Sequence, residues 1–168
     1  SSYCFVESLC RATPEDCPIV TSDGTAHVVT LKTAKLKGNQ RLFTNVGCAS
    51  MGYGLPAAIG ACNAINRKQV VCIEGDGSIQ MNIQELQTLV HHEMPIKLFV
   101  INNDGHLSIR LTQDSFFDSR YVAIDESSGV SFPDMEKLAK AYGIKYFSIR
   151  KNKDIDFTIS QVMSYDKI

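Results

Sequence analysis

Tryptophan is absent from the 168-residue sequence, proline occurs only five times, and no apolar run reaches the roughly 20 residues a membrane-spanning helix requires. No signal-peptide pattern is present either. Excess charge of one sign is also missing: 17 Lys and Arg against 18 Asp and Glu leave a formal net charge of −1 and a pI near 6.4. That balance gives no electrostatic footprint for nucleic acid or for an anionic membrane surface. Six cysteines, at 4, 10, 17, 48, 62 and 72, include no Cys-x-x-Cys pair of the kind that holds zinc. Several lie in apolar stretches, where a free thiol packs as a small hydrophobe, so a reducing, cytoplasmic setting is expected. Repeats and low-complexity segments are lacking too.

What remains is a chain with 44% hydrophobic residues, long enough to bury about 70% of its unfolded surface in one domain spanning 1–168. Its apolar residues alternate between strand-like runs and helical stripes. Helices are expected over 3–11, from the loop at Asp23 to about 35, over 55–65, over 81–90, from Ser131 to 141 and over 154–164. Ser131 is a candidate cap there, with Pro133 near the first turn. Strands are expected over 18–22, 41–44, 69–74, 96–101 and 145–149. Residues 104–129 read as a long loop shaping a substrate pocket. This succession predicts an α/β fold with a doubly wound, mostly parallel sheet and helices on both faces.

The most informative residues are Gly75-Asp76-Gly77-Ser78 and the pair Asn102-Asn103, with Asn103 27 positions beyond Asp76. Each group sits where an apolar run stops, Gln69 to Glu74 before the first and Ile96 to Ile101 before the second. Between them Ile83, Leu86, Leu89 and Val90 fall on one helical face. A strand-helix-strand unit of this kind crosses over right-handedly and brings both loops to the same sheet edge, where ligands collect in open α/β sheets. Asp76 and Asn103 then offer one hard oxygen each. Such oxygens suit Mg²⁺, which takes one or two protein groups beside water and phosphate oxygens at about 2.0–2.1 Å. Gly75 and Gly77 let the backbone approach a phosphate, and a helix opening after Ser78 turns its free N–H groups toward the anion.

This pattern resembles the C-terminal, cofactor-binding domain of the thiamine diphosphate enzymes, and among them the acetolactate synthase-like group. The family signature is Gly-Asp-Gly, a gap in the mid-twenties and Asn-Asn. A second family element looks present in Ser50-Met51-Gly52-Tyr53-Gly54-Leu55-Pro56, the segment that holds the aminopyrimidine ring. The resemblance covers most of the chain from about Asp23 to Tyr146. It implies thiamine diphosphate and Mg²⁺ as cofactors, with the metal on the side chains of Asp76 and Asn103 and on the carbonyl of Gly105. Gly75, Gly77, Ser78, Thr25, His27, His106 and Leu107 would contact the cofactor around its diphosphate. Met51 would lie under the bond between the two rings and give its N–H to the pyrimidine, while the carbonyl of Ala49 would accept from the 4′-amino group. The family usually has glycine at 49; because only backbone is used, alanine is tolerable there if its φ is negative.

Other positions depart from the family pattern. Where acetolactate synthases often carry Gly-Gln-His, this chain reads Gly24-Thr25-Ala26-His27, matching only the histidine. Thr112 stands where amino-acid-biosynthetic synthases carry a tryptophan, so the pocket expected from Ser108, Ile109 and Thr112 lacks an aromatic wall. The resemblance implies a 2-oxo acid decarboxylase or carboligase acting on a small 2-oxo acid. The glutamate that activates the cofactor would come from a pyrimidine-binding domain of the same enzyme or of another subunit, so no catalytic residue is assigned within this chain. A homodimer or homotetramer is implied, with neither nucleic acid nor membrane as partner. A further family strand is expected beyond 154–164, so the chain reads as one domain of a longer enzyme. Two alternatives are the small subunit of a two-chain, sulfopyruvate-type decarboxylase and a non-catalytic module that kept the fold. The isolated chain is expected to be inactive.

Overall fold

The computed structural model describes residues 1–166. Among these residues one parallel sheet has four strands, β1 (Ile19–Thr21), β2 (Leu42–Phe43), β3 (Val70–Gly75) and β4 (Ile96–Ile101), in the order β2-β1-β3-β4. Registers are fixed along β3, with Val71 opposite Ile19 of β1 and Lys97 of β4. Seven α-helices pack on it: α1 (Ser2–Ala12), α2 (Gly24–Thr33), α3 (Gly54–Ala64), α4 (Glu85–His91), α5 (Leu107–Phe116), α6 (Met135–Ala141) and α7 (Ile155–Ser164).

The sheet is covered on both faces, and β3 shows why. Residues 70–74 are all buried, and side chains alternate across a strand, so one run of apolar residues feeds two cores. Val71 and Ile73 join Val6, Leu9, Val29 and Ile159 from α1, α2 and α7 on one face. Val70 and Cys72 join Leu55, Ala58, Leu86 and Leu89 from α3 and α4 on the other. Each such Leu, Ile or Val contributes about 1.5–3 kcal/mol by leaving water, which is what makes the central strand the organiser of the domain.

The strand order reverses between β1 and β3. From β1 the chain leaves toward α2 on one face, and from β3 it leaves toward α4 on the other, which makes the carboxyl edge between them the switch point where open α/β sheets bind ligands. The doubly wound arrangement expected from the sequence is therefore the observed one.

Four local expectations are corrected. Residues 107–116, expected as loop, form α5; its apolar residues at 107, 109 and 111 alternate with polar ones and none of its residues is buried, so no helical stripe marks it. Residues 145–149 join no ladder. Phe147 and Ile149 are half-buried in alternation with exposed neighbours, as in a strand, but a cavity of about 740 Å³ lies between this segment and the open edge of β4. The stretch expected as one helix over 81–90 is a 3₁₀ turn (Ser78–Asn82) followed by α4, so a five-residue turn, not an α-helix, follows the glycine loop. The cap of α6 is Asp134, whose side chain accepts from the N–H groups of Glu136 and Lys137; Ser131 and Pro133 precede it.

Candidate functional site

Three loops meet at the carboxyl edge, after β1, β3 and β4. The loop after β3 carries Asp76, 2% exposed, whose amide donates to the carbonyl of Ile101 at 3.2 Å and so continues the β3–β4 pairing into the loop. Its carboxylate is held by backbone: Gly77 N–H donates to Oδ1 at 3.0 Å, and the N–H groups of Asn103 and Gly105 donate to Oδ2 at 3.1 and 3.3 Å. The two sequence motifs are thus joined through one side chain. Nδ2 of Asn103 donates to Thr25 Oγ1 at 3.2 Å, which leaves its Oδ1 as the acceptor of that amide and draws the loop after β1 into the same group.

Of the remaining expected residues, some lie beside this centre and others do not. Gly77 has no room for a side chain, since a Cβ there would lie 2.5 Å from Cε1 of His106. His106 stands just before α5, stacked edge-on against Phe132 at 5.3 Å. Leu107, Ser108, Ile109 and Thr112 are exposed on α5 and not on a loop as expected; the hydroxyl of Thr112 donates to the carbonyl of Ser108 at 3.1 Å. His27 faces β2 instead of the Asp76 group, with Nδ1 3.2 Å from Thr44 Oγ1.

The segment before α3 is pinned against the Asp76 loop. Ser78 Oγ accepts from Gly52 N–H at 2.9 Å and lies 2.5 Å from Ser22 Oγ, which donates onward to Asp23. The Ser78 hydroxyl, expected on the diphosphate, is therefore engaged inside the protein. Met51, half-buried, precedes Gly52. Ala49 is exposed and has φ +49°, so the negative φ that would have made alanine unstrained is not found.

Sequence reasoning gave two residues here no role. Glu74, next to last in β3, is fully buried; Oε1 accepts from Leu55 N–H at 3.0 Å in the first turn of α3, while Oε2 meets no partner in hydrogen-bond geometry. Burial pushes its carboxyl above the ordinary range, and the nearby hydroxyls of Ser22 and Ser78 and the Leu55 N–H offset this only in part. Its signal was a lone acid closing an otherwise apolar strand. Asn82 donates from Nδ2 to the carbonyl of Gly52 at 2.8 Å. It stood within an expected helix, where an Asn draws no notice.

Among the described residues no group of three or more His, Cys, Asp and Glu side chains could hold a metal ion. A cation here would meet one carboxylate, one amide oxygen and a backbone carbonyl, a hard and mostly neutral set suited to Mg²⁺ bearing phosphate and not to zinc. Among the described residues no helix is long and apolar enough to cross a membrane.

Comparison with known proteins points the same way. The family model described as "Thiamine pyrophosphate enzyme, C-terminal TPP binding domain" matches residues 23–168. The acetolactate synthase large subunit of Porphyra purpurea is 35% identical over 151 residues, covering 90% of this chain and 25% of that protein. The acetolactate synthase isozyme 2 large subunit of Escherichia coli (strain K12) is 32% identical over 162 residues, or 96% of this chain and 29% of its own length. The acetolactate synthase large subunit of Cyanidium caldarium is 42% identical over 122 residues, covering 73% of this chain and 20% of that protein. The chain thus spans about a quarter of the length of these relatives.

Proposed function

The chain belongs to the thiamine pyrophosphate enzymes, whose C-terminal TPP-binding domain it carries, and on that premise we propose that it seats the cofactor's diphosphate on Mg²⁺ for an acetolactate synthase-like decarboxylase or carboligase.

The observation that carries this reading is the buried Asp76 carboxylate, fixed by three backbone N–H groups at the carboxyl edge. Those donors hold both oxygens in place before any ligand arrives and leave one lone-pair site, on Oδ1, to a cation. Asp76, the Oδ1 of Asn103 and the carbonyl of Gly105 would hold Mg²⁺. Backbone N–H groups of the turn after Gly77 would face the diphosphate, since the Ser78 hydroxyl is committed elsewhere. Thr25, through Asn103, sets the loop after β1 against the same edge. His106 and Leu107 would close the edge at the start of α5, while His27 on α2 is turned toward Thr44 and is left out of this reading. The backbone at Ala49 and Met51 would receive the aminopyrimidine.

When bound, thiamine diphosphate supplies the electron sink through which a 2-oxo acid loses CO₂. The residues of this chain contribute binding, charge neutralisation and orientation. Ser108, Ile109 and Thr112 on α5 would border the substrate pocket, without the aromatic wall that a tryptophan at 112 would give. Because the relatives are large subunits of which this chain spans a quarter, a long enzyme with its own pyrimidine-binding domain is favoured over a separate small subunit.

The test is Asp76→Ala in the full-length enzyme, titrated calorimetrically with Mg²⁺ and thiamine diphosphate. Affinity should fall at least about tenfold, or about 1.4 kcal/mol. Unchanged affinity would overturn the assignment.

A further inference from the structure

The stretch 49–51 and the turn after Asp76 are joined at a single residue. Gly52 follows the stretch 49–51 and is pinned from both sides by one 3₁₀ turn: its N–H donates to Ser78 Oγ at 2.9 Å, and its carbonyl accepts from Asn82 Nδ2 at 2.8 Å. The turn that supplies both anchors begins two residues beyond Asp76. No other residue type fits at 52. Its φ is +81°, and a Cβ would lie 2.6 Å from Met81 Cβ and 2.8 Å from Asn82 Nδ2.

The direction of the Asn82 amide is itself set. Gln84 Nε2 donates to Asn82 Oδ1 at 3.2 Å, so the oxygen is the acceptor and the NH₂ group faces Gly52. The segment it holds needs holding, because Ala49, three residues before Gly52, adopts left-handed backbone, and strain of that kind persists only when surrounding contacts over-determine it.

We propose that Asn82 is a positioning residue that couples the two halves of the cofactor site, fixing the backbone of residues 49–51 in register with the Asp76 loop through the Gly52 peptide. This rests on the reading that Asp76 holds the metal and diphosphate while residues 49–51 meet the pyrimidine. Asn82 touches neither the cofactor nor the metal. Its effect is to make the geometry of one half depend on the other, so its loss falls on ligands that span both.

The experiment compares two ligands on the full-length enzyme by calorimetry. Inorganic diphosphate with Mg²⁺ uses the Asp76 loop alone, whereas thiamine diphosphate with Mg²⁺ uses both loops. With Asn82→Asp, which keeps the shape and replaces the donor by an acceptor, thiamine diphosphate affinity should fall about tenfold, the scale of leaving one buried carbonyl unpaired, while inorganic diphosphate stays within about twofold. Asn82→Ala removes the donor without adding charge and gives the same comparison if the aspartate variant does not fold. Parallel loss of both ligands in a folded variant, or no loss of either, overturns the coupling. A wild-type enzyme that binds neither ligand with Mg²⁺ overturns the functional reading, and the inference with it.

Discussion

Ala49 has φ +49°, where an L-residue costs about 1–2 kcal/mol relative to right-handed backbone. Its side chain is exposed, so no packing energy offsets that cost. Ala49→Gly should therefore raise stability by about 0.5–1 kcal/mol, the relief of strain less the extra freedom glycine brings to the unfolded chain. Urea unfolding measures it, and a loss of stability would mean that alanine is not strained there. At this scale the sequence shows the site unevenly. Asp76 and Asn103 are legible because each closes an apolar strand run in a recognisable motif, and the Asn103 N–H does meet the Asp76 carboxylate. Glu74 and Asn82 are not, because each acts on a backbone group, Leu55 N–H and the Gly52 carbonyl, whose nearness only the folded chain reveals.

The helices differ in what holds them. α6 has no buried residue and depends on its cap, where Asp134 accepts from two N–H groups; these bonds, led by that of Lys137, pull the Asp134 carboxyl below its ordinary value. A depressed folded pKa binds fewer protons in the native state, so this contribution is present above the ordinary aspartate range and is lost as pH falls through the folded value. Asp134→Asn keeps a good cap and removes the titration. Stability near neutral pH should barely change, while the decline in acid becomes shallower when followed by denaturant unfolding at a series of pH values; an unaltered acid slope would exclude Asp134 as its source. The same distinction explains which elements could be read beforehand. β3, β4 and α3 are buried, and burial writes itself into composition as apolar runs. α5 buries nothing, and its alternating residues imitate a strand or loop. In residues 145–149 the alternation does report a chain lying with one side on the core. Periodicity cannot report the missing ladder, which depends on whether β4 comes within the roughly 4.7–4.9 Å of paired strands.

As a whole, the chain presents a surface with unburied apolar groups. Phe116 at the end of α5 and Phe117 and Val122 beyond it are 79%, 57% and 67% exposed. Clustered exposure of this kind marks surfaces that meet another domain or chain, in keeping with a chain that spans about a quarter of its relatives. The purified chain, free of any partner, should leave the exchange rate of the C2 proton of added thiamine diphosphate unchanged, as followed by NMR after acid quench. The activating glutamate is expected from elsewhere in the enzyme, and acceleration to the rate of a full enzyme would place that acid within this chain. The Asp76 amide has a consequence of its own. It is bonded to Ile101 across the β3–β4 pair, and β3 supplies side chains to both layers. The loop that carries Asp76 is therefore an extension of the β3–β4 pairing, and its amide should exchange with solvent more slowly than the amides of the exposed loops, as native-state hydrogen exchange would read.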